Sequence, residues 1–528
     1  MYKNILLLLI LSAVLYSQTK SSVFNIKDFG AKADGTTLNT EVIQRAIDSC
    51  SATGGTVLFP AGKYLTGSLV LKNNVALFLS KGAVILGSTN LNDYHEHKPE
   101  LQSYNDNFLK YSLFYAEKAE NISIEGEGTI DGQGGAFKVK TKKKPERYEN
   151  RPFVIRFVEC KNVSIKNINL VNSAMWMEQY LACDGLYIKG IKVFNHANQN
   201  NDMMDIDGCR NVIISDCTGD TDDDGITLKS TSPYSVQNVV ITNCIVSSHC
   251  NAIKIGTEST GDFKNISISN IVVKPSSVKK VIYGFPEGIS AITLTTVDGG
   301  TIDGVTISNI NIDGPEVPIF LRLGNRARKY KEDESLPGVG EFKNVSINNI
   351  IARNVKSIGC SITGIPGHNI ENIALSNIRI NYSGGIDKGN YKDAVPELEN
   401  SYPESTMWGN LPAYGFYIRH VKNISFNAVE VNYIKPDIRP VIICNDVDEL
   451  SLSGLIAECD SNADSFLRFD DVTNSKINNT ECTTKTKLFL ELRGDKNSNI
   501  KLIGNDFVGF QKICNVQKGI MLIDGNLK

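Results

Sequence analysis

Charge of one sign is what this sequence most plainly lacks. Its 528 residues carry 55 Lys plus Arg against 58 Asp plus Glu, a net charge of -3. That balance removes the electrostatic footprint by which a protein grips nucleic acid or an anionic membrane surface. Long apolar runs are missing too, apart from one near the N-terminus, so no later stretch qualifies as a transmembrane helix. The twelve cysteines contain no CxxC pair and no histidine-rich neighbours, which argues against a zinc site. Most sit in alternating apolar segments such as NVIISDC and NVVITNC, where a thiol packs as a small hydrophobe. Some disulfides remain open in an oxidising compartment. Hairpin signals are also scarce, since Asn-Gly and Asp-Gly pairs do not recur with any period.

The one apolar run belongs to MYKNILLLLILSAVLYSQTKSS, where a Lys precedes Ile5 to Tyr16 and small or polar residues follow. This is the pattern of a secretory signal peptide, with cleavage near Ser17. Residues 1–17 are then a leader and residues 18–528 the mature protein. The run is too short to span a bilayer comfortably, and no Cys stands at its end to carry a lipid. The expectation is a periplasmic or secreted protein without membrane insertion. The near-neutral isoelectric point and patch-poor repeats lead us to expect a monomer.

What is abundant is one repeated phrase. NISIEGEG at Asn121, NVSIKNINL at Asn162, GLYIKGIKV at Gly185, NVIISDC at Asn211, NVVITNCIV at Asn238 and NISISNIVV at Asn265 are followed by further copies as far as NIKLIGNDF at Asn499. Each is a short β-branched strand with period-2 alternation, punctuated by Asn or Gly, and the tightest spacings are 23 to 28 residues. A unit that short cannot bury its apolar face alone, so successive units must stack. The pattern predicts an all-β chain forming a single right-handed parallel β-helix, with Ile and Val ladders inside and Asn amides stacked at the corners.

An open end of such a solenoid is a bare sheet edge and needs a cover. Residues 39–50 supply one: Val42, Ile43, Ala46, Ile47 and Cys50 line one face of a helix that Asn39 or Thr40 can cap. Gaps between repeats place long loops at about residues 131–155, 273–300, 322–340 and 380–420. Loops on one rim of a solenoid usually build its binding groove.

The stretch GDTDDDGITLKS, residues 219–230, sets three carboxylates side by side. Asp220, Asp222, Asp224 and Gly225 satisfy the opening of a calcium loop, but its twelfth position is Thr231 where a bidentate Glu is needed. An acid/base reading fits better. Asp202, in NQNNDMMDIDGC, lies 21 residues before Asp223 and 22 before Asp224, which is close to one coil. Stacking then brings the three together, roughly 5 Å apart along the axis. A carboxylate among others has its pKa raised and can serve as a general acid. Alternation from Ile226 and Leu228 would bury Asp224 and expose Asp223, so both face one groove only if Gly225 lets the chain bend. One coil on, His249 follows its strand as Asp223 follows its own, and is expected in the same patch. Lys254 should point outward from the next strand as a substrate contact. The late loop PESTMWGNLPAYGFYIRH has a composition suited either to gripping sugars or to packing as a lid.

Together these segments resemble glycoside hydrolase family 28, the polygalacturonases and rhamnogalacturonases of the pectin lyase-like β-helix superfamily. The resemblance runs from FGAKADG (Phe29 to Gly35) and GGTVLFPAGKY (Gly54 to Tyr64) through GTIDGQG (Gly128 to Gly134) and NSAMW (Asn172 to Trp176) to NND, DDD and SHC. The family's Asn-Thr-Asp falls on Asn200, Asn201 and Asp202, its Gly-Asp-Asp on Asp222, Asp223 and Asp224, and its Gly-His-Gly on Ser248, His249 and Cys250. The resemblance implies hydrolysis with inversion, Asp223 acting as general acid and Asp202 and Asp224 activating water, with no metal or cofactor. It also implies an acidic, pectin-like polysaccharide or oligosaccharide as substrate. The family's Arg-Ile-Lys carboxylate clamp has no counterpart in GISAITLTTVDGG. Lys254, Arg322 and Arg326 are the candidate replacements.

Two other functions fit the same fold. A polysaccharide lyase would use calcium and a Lys or Arg base, and would leave an unsaturated product. A non-catalytic carbohydrate-binding β-helix would be indifferent to Asp223→Asn. Loops walling off one groove end would favour attack at chain ends.

Overall fold

The computed structural model describes residues 22–104, 106–144, 146–484, 486–516, 520–523 and 525–527. The expected leader, residues 1–17, lies outside the described residues. Strand follows strand along the chain, and each pairs in parallel with the strand about one repeat later. The stacking that short repeats demand thus produces a parallel β-helix. Three ladders fill its core. Leu186, Val212, Val239, Ile266, Val305 and Val345 lie in register on one face. Val193, Gly219, Val246, Val273 and Ile312 line a second. Tyr180, Ile206, Leu228, Ile255 and Leu294 line the third. Their side chains are buried, so a one-residue slip in any strand would turn a whole apolar row outward.

The recurrent Asn marks the corner between two faces. Asn211, Asn238 and Asn265 have φ of 57°, 57° and 55°, the left-handed region that Asn tolerates better than other non-glycine residues. Their amides stack, Asn238 Nδ2 donating to Asn211 Oδ1 at 3.1 Å and Asn265 Nδ2 to Asn238 Oδ1 at 3.2 Å.

The helix Thr40–Thr53 covers the first coil, burying Ile43, Ala46, Ile47 and Cys50 with Val42 half-buried against the core. Its capping differs from the expectation. The Asn39 side chain makes no cap bond; its Oδ1 accepts the Lys32 backbone N–H at 2.7 Å and its Nδ2 donates to the Thr37 carbonyl at 2.7 Å. The Thr40 hydroxyl accepts the Gly67 N–H at 2.8 Å. Competition from the adjoining turn for Asn39, and from Gly67 for Thr40, takes both caps away from the helix.

All twelve cysteines are free thiols, ten of them buried. Among the described residues no helix is long and apolar enough to cross a membrane. Long inter-strand connections at residues 132–152, 274–289, 324–341 and 385–415 fall close to where the repeat gaps placed them, and another, residues 88–111, lies ahead of the recurrent phrase and was not expected. Most of the last one packs on the solenoid flank: Trp408, Leu411 and Ala413 sit among Val317, Phe320 and Tyr417. The Trp408 indole N–H is bonded to the Pro396 carbonyl at 3.0 Å, and the part of the loop that reaches the groove is its middle, at Tyr402 and Glu404.

Candidate active site

The carboxylates are placed by the third face of the solenoid. The strand Met204–Asp207 pairs with Ile226–Ser230, and that strand pairs with Asn251–Ser259. Just ahead of the first pairing, the Met203 N–H donates to the Asp224 carbonyl at 2.9 Å, and the Asp223 N–H to the Asn201 carbonyl at 3.3 Å. Asp202 therefore stands one coil below Asp224, as the 22-residue spacing requires. On the other side the Gly225 N–H donates to the Asn251 carbonyl at 2.8 Å.

The chain bends at Gly225 as expected, without a positive φ, and the size of the residue matters there as well. A Cβ there would collide with the Ala252 carbonyl oxygen and stand 2.6 Å from Val246 Cγ1. Gly225→Ala should push the coil outward, cost about 1–3 kcal/mol in a urea unfolding curve, and displace Asp224 enough to lower activity.

Asp223 is half-buried and lines the pocket, with Asn200 Nδ2 donating to its Oδ2 at 3.3 Å. Burial, reinforced by the charge of Asp224, raises its pKa. Asp224 is pulled the other way. Burial alone would raise it, but Lys254 and Lys229, with hydrogen bonds from Lys254 and Asn251, outweigh that and lower its pKa. Lys254 Nζ lies 2.7 Å from Asp224 Oδ2 and Asn251 Nδ2 donates to Oδ1 at 2.8 Å. Adjacent residues thus titrate in opposite directions, which separates an acid from a base.

Two residues that motif reading passed over support the site, Lys229 lining the pocket and Asp205 buried behind it. Lys229 Nζ bridges Asp205 Oδ1 at 2.7 Å and Asp202 Oδ2 at 3.3 Å, and lies 3.9 Å from the centre of the Trp176 ring. Burial and then the Asp205 charge push Asp202 well up, and burial takes Asp205 to about 7 against the pull of Lys229. Alternation could have found Lys229, since it shares the face of Thr227 while Ile226 and Leu228 point inward.

The other expected site residues divide. Asn200 and Lys254 line the pocket, but Lys254 is 4% exposed and spent on Asp224 and the Tyr402 hydroxyl at 3.2 Å, so it is not a free clamp. His249 does not join the carboxylates in the groove. It is 0% exposed, with Nδ1 2.9 Å from Asp222 Oδ1 and Nε2 2.9 Å from the Val278 carbonyl. Arg322 is buried and bonded to the Gly364 and Glu397 carbonyls at 2.9 and 2.7 Å, tying down the late loop. Arg326 is paired with Asp298 and stands behind Glu258, at 3.9 Å. Neither arginine lines the pocket, so the clamp expected of them is not theirs.

The long loops supply cations instead. Lys144 and Arg147, from residues 132–152, line the pocket with Tyr148, and Tyr283 enters from residues 274–289. The Arg147 guanidinium lies 5.5 and 5.4 Å from the Tyr148 and Tyr283 ring centres, and its Nε is buried without a hydrogen-bond partner among the described residues. Tyr402 and Glu404 form the opposite wall, Glu404 being raised to about 7 by burial. Position within a loop carries no periodicity, so nothing in the sequence singled these residues out.

The cavity holds about 260 Å³. The DTDDDG run does not suit calcium: Asp220 accepts from Ser276 and Ser277, Asp222 from the Ile282 and Tyr283 N–H groups, and Asp224 from Lys254. The three carboxylates of the would-be loop face three different partners. The Cys250 thiol beside Asp223 and Asp224 is pushed well up by burial and stays protonated. What the pocket offers is proton transfer at a polar bond beside fixed positive charge.

Known proteins share this arrangement of the chain. A probable polygalacturonase of Vitis vinifera is 27% identical over 433 residues, 76% of this chain and 86% of that protein. An exo-poly-alpha-D-galacturonosidase of Dickeya chrysanthemi is 44% identical over 120 residues, 21% of this chain and 20% of that protein. The solved structure of a hyperthermoactive exopolygalacturonase from Thermotoga maritima has the same fold, with a TM-score of 0.56 at 21% identity over 69% of this chain and 88% of that one. Residues 50–397 match the family model of glycosyl hydrolases family 28, and the chain belongs to that family.

Proposed function

We propose that this glycosidase removes uronate-bearing sugars from the ends of acidic, pectin-like chains of the galacturonan or rhamnogalacturonan type, with inversion at the anomeric carbon. The observation that carries the reading is the pair Asp223 and Asp224, adjacent in the chain and shifted in opposite directions at the floor of a cation-walled pocket. Asp223, half-buried and with its pKa raised by burial and the Asp224 charge, gives its proton to the glycosidic oxygen. Asp224, ionised beside Lys254, takes a proton from the attacking water. Asp202 is raised, so its part is to orient that water through Oδ1, which has no hydrogen-bond partner among the described residues. Asp223 and Asp224 have oxygens within 4.8 Å of one another, and inversion is carried over from the family resemblance.

Arg147 and Lys144 are our candidates for the carboxylate clamp that the missing Arg-Ile-Lys segment would otherwise supply. A hydrogen bond to a charged group contributes about 1.5–3 kcal/mol, so Arg147→Ala should raise KM for an oligogalacturonide about 10–150-fold and change kcat far less. The cavity is at the small end for ligand pockets, which run from about 300 Å³ upward, and this favours a chain end over the middle of a polymer. The Dickeya and Thermotoga relatives are named for exo action, which supports the same reading. The apolar run at residues 5–16 supports export to the periplasm or medium.

Digestion of polygalacturonate and rhamnogalacturonan oligosaccharides, followed by proton NMR of the first product, tests the reading. We expect single saturated uronate residues released with inverted configuration. An unsaturated product, or a retained configuration, would overturn it.

A further inference from the structure

Outside the pocket lining, three side chains converge with no part in the chemistry above. We propose that His196, Asp222 and His249 form a binding site for a borderline divalent transition ion of the zinc class. His249 Nδ1 lies 2.9 Å from Asp222 Oδ1, His196 Nδ1 lies 4.0 Å from the same oxygen, and all three ligand atoms fall within 4.8 Å of one another. Bonds of about 2.0–2.2 Å in a tetrahedral site put ligand atoms about 3.4 Å apart. The two contacts to Asp222 bracket that spacing, and the two imidazole nitrogens lie within 4.8 Å of each other.

His196 supplies the second, independent sign. Its side chain is 6% exposed, yet its Nδ1 is buried with no hydrogen-bond partner among the described residues. A buried imidazole nitrogen left this way is costly unless something fills the place of the partner. The remaining nitrogens of both rings are already committed. His196 Nε2 donates to Asp220 Oδ1 at 2.9 Å, and Asp220 is itself fixed by the Ser276 hydroxyl at 2.6 Å and the Ser277 hydroxyl and N–H at 2.7 and 2.9 Å. His249 Nε2 donates to the Val278 carbonyl at 2.9 Å. Metal-bound imidazoles are characteristically held this way, with the far N–H on a carboxylate or carbonyl and the near nitrogen free to ligate.

Two imidazoles and one carboxylate suit zinc, cobalt or nickel, whereas calcium and magnesium want oxygen alone. The cysteines, on which the sequence argued against zinc, take no part. Binding replaces the proton that His249 Nδ1 offers Asp222 and leaves a fourth position for water. Asp222 also accepts the Ile282 and Tyr283 N–H groups at 2.9 and 3.2 Å. The ion therefore braces the loop that delivers Tyr283 to the pocket. This site stands independently of the substrate assigned above.

The test is a titration of Co²⁺ into the chelator-treated full-length protein, read by its visible ligand-field bands. We expect saturation at one equivalent, displacement by Zn²⁺, and none by excess Ca²⁺. His196→Ala should abolish the bands. Asp220→Asn, which keeps all three ligands, should weaken binding about 10–100-fold, with circular dichroism confirming the fold of each variant. X-ray absorption of the cobalt-loaded wild type should show two imidazoles with oxygen and no sulfur, and decides the assignment even if a variant fails to fold. No saturable band at one equivalent, unchanged binding in His196→Ala, or sulfur ligation would each overturn the site.

Discussion

Asp223→Asn should lower kcat on oligogalacturonides by about 10²–10⁴-fold while leaving KM within a few-fold and the melting temperature unchanged. The substitution keeps the shape of the side chain; an amide oxygen there can still accept the Asp224 N–H that Asp223 Oδ1 accepts at 3.0 Å, and the Asn200 contact at 3.3 Å is weak, so little of the fold depends on the charge. What disappears is the proton needed by the departing sugar oxygen. That defect can be separated from loss of the base. An aryl uronide with a strongly acidic phenol leaves without protonation, so Asp223→Asn should regain most of its rate on that substrate. Asp224→Asn, lacking the group that activates water, should stay slow on both. Equal losses on the two substrates in Asp223→Asn would remove it from the role of acid, and an unaffected kcat would remove this carboxylate from catalysis.

The sequence carried the solenoid because its repeat is an energetic necessity and not only a motif. Each strand pattern buries its Ile or Val only by stacking, and the coil-on-coil stacking that sets Val239 on Val212 also sets Asp224 on Asp202. Register along the coil was therefore legible. Direction across it was less so. His249 is in register with the carboxylates, yet its ring is aimed at Asp222, a choice made by the Val278 carbonyl of a distant loop. Arg322 and Arg326 read as free cations because their partners lie 28 to 75 residues away, in Asp298 and in the Gly364 and Glu397 carbonyls. Arg147 sits in a Lys-rich run where one cation looks like the next. Only the packing of its guanidinium near Tyr148 and Tyr283 distinguishes it.

Lys254→Met is the variant in which stability and catalysis should fail together. Lys254 and Asp224 are both buried and 2.7 Å apart, and removing one partner of such a pair leaves a charge without compensation, at a cost of about 3–5 kcal/mol. The sign of the pH dependence follows from the direction of the shift. In the wild type the Asp224 pKa is depressed, so the stabilisation is complete above the ordinary carboxylate pKa and fades as pH falls through the folded value. Without Lys254, burial dominates and the pKa rises, so the deficit measured by urea unfolding should be largest near pH 7 and shrink toward acid pH as Asp224 takes up a proton. The same proton removes the base. We expect kcat near neutrality to drop at least about 10²-fold and the acidic limb of its pH profile to move upward. Lys254→Arg should recover part of both, because charge at that position, more than its length, keeps Asp224 ionised. A Met variant as stable as wild type at pH 7, with an unmoved acidic limb, would mean that Asp224 draws its ionisation from Lys229 and Asn251 alone.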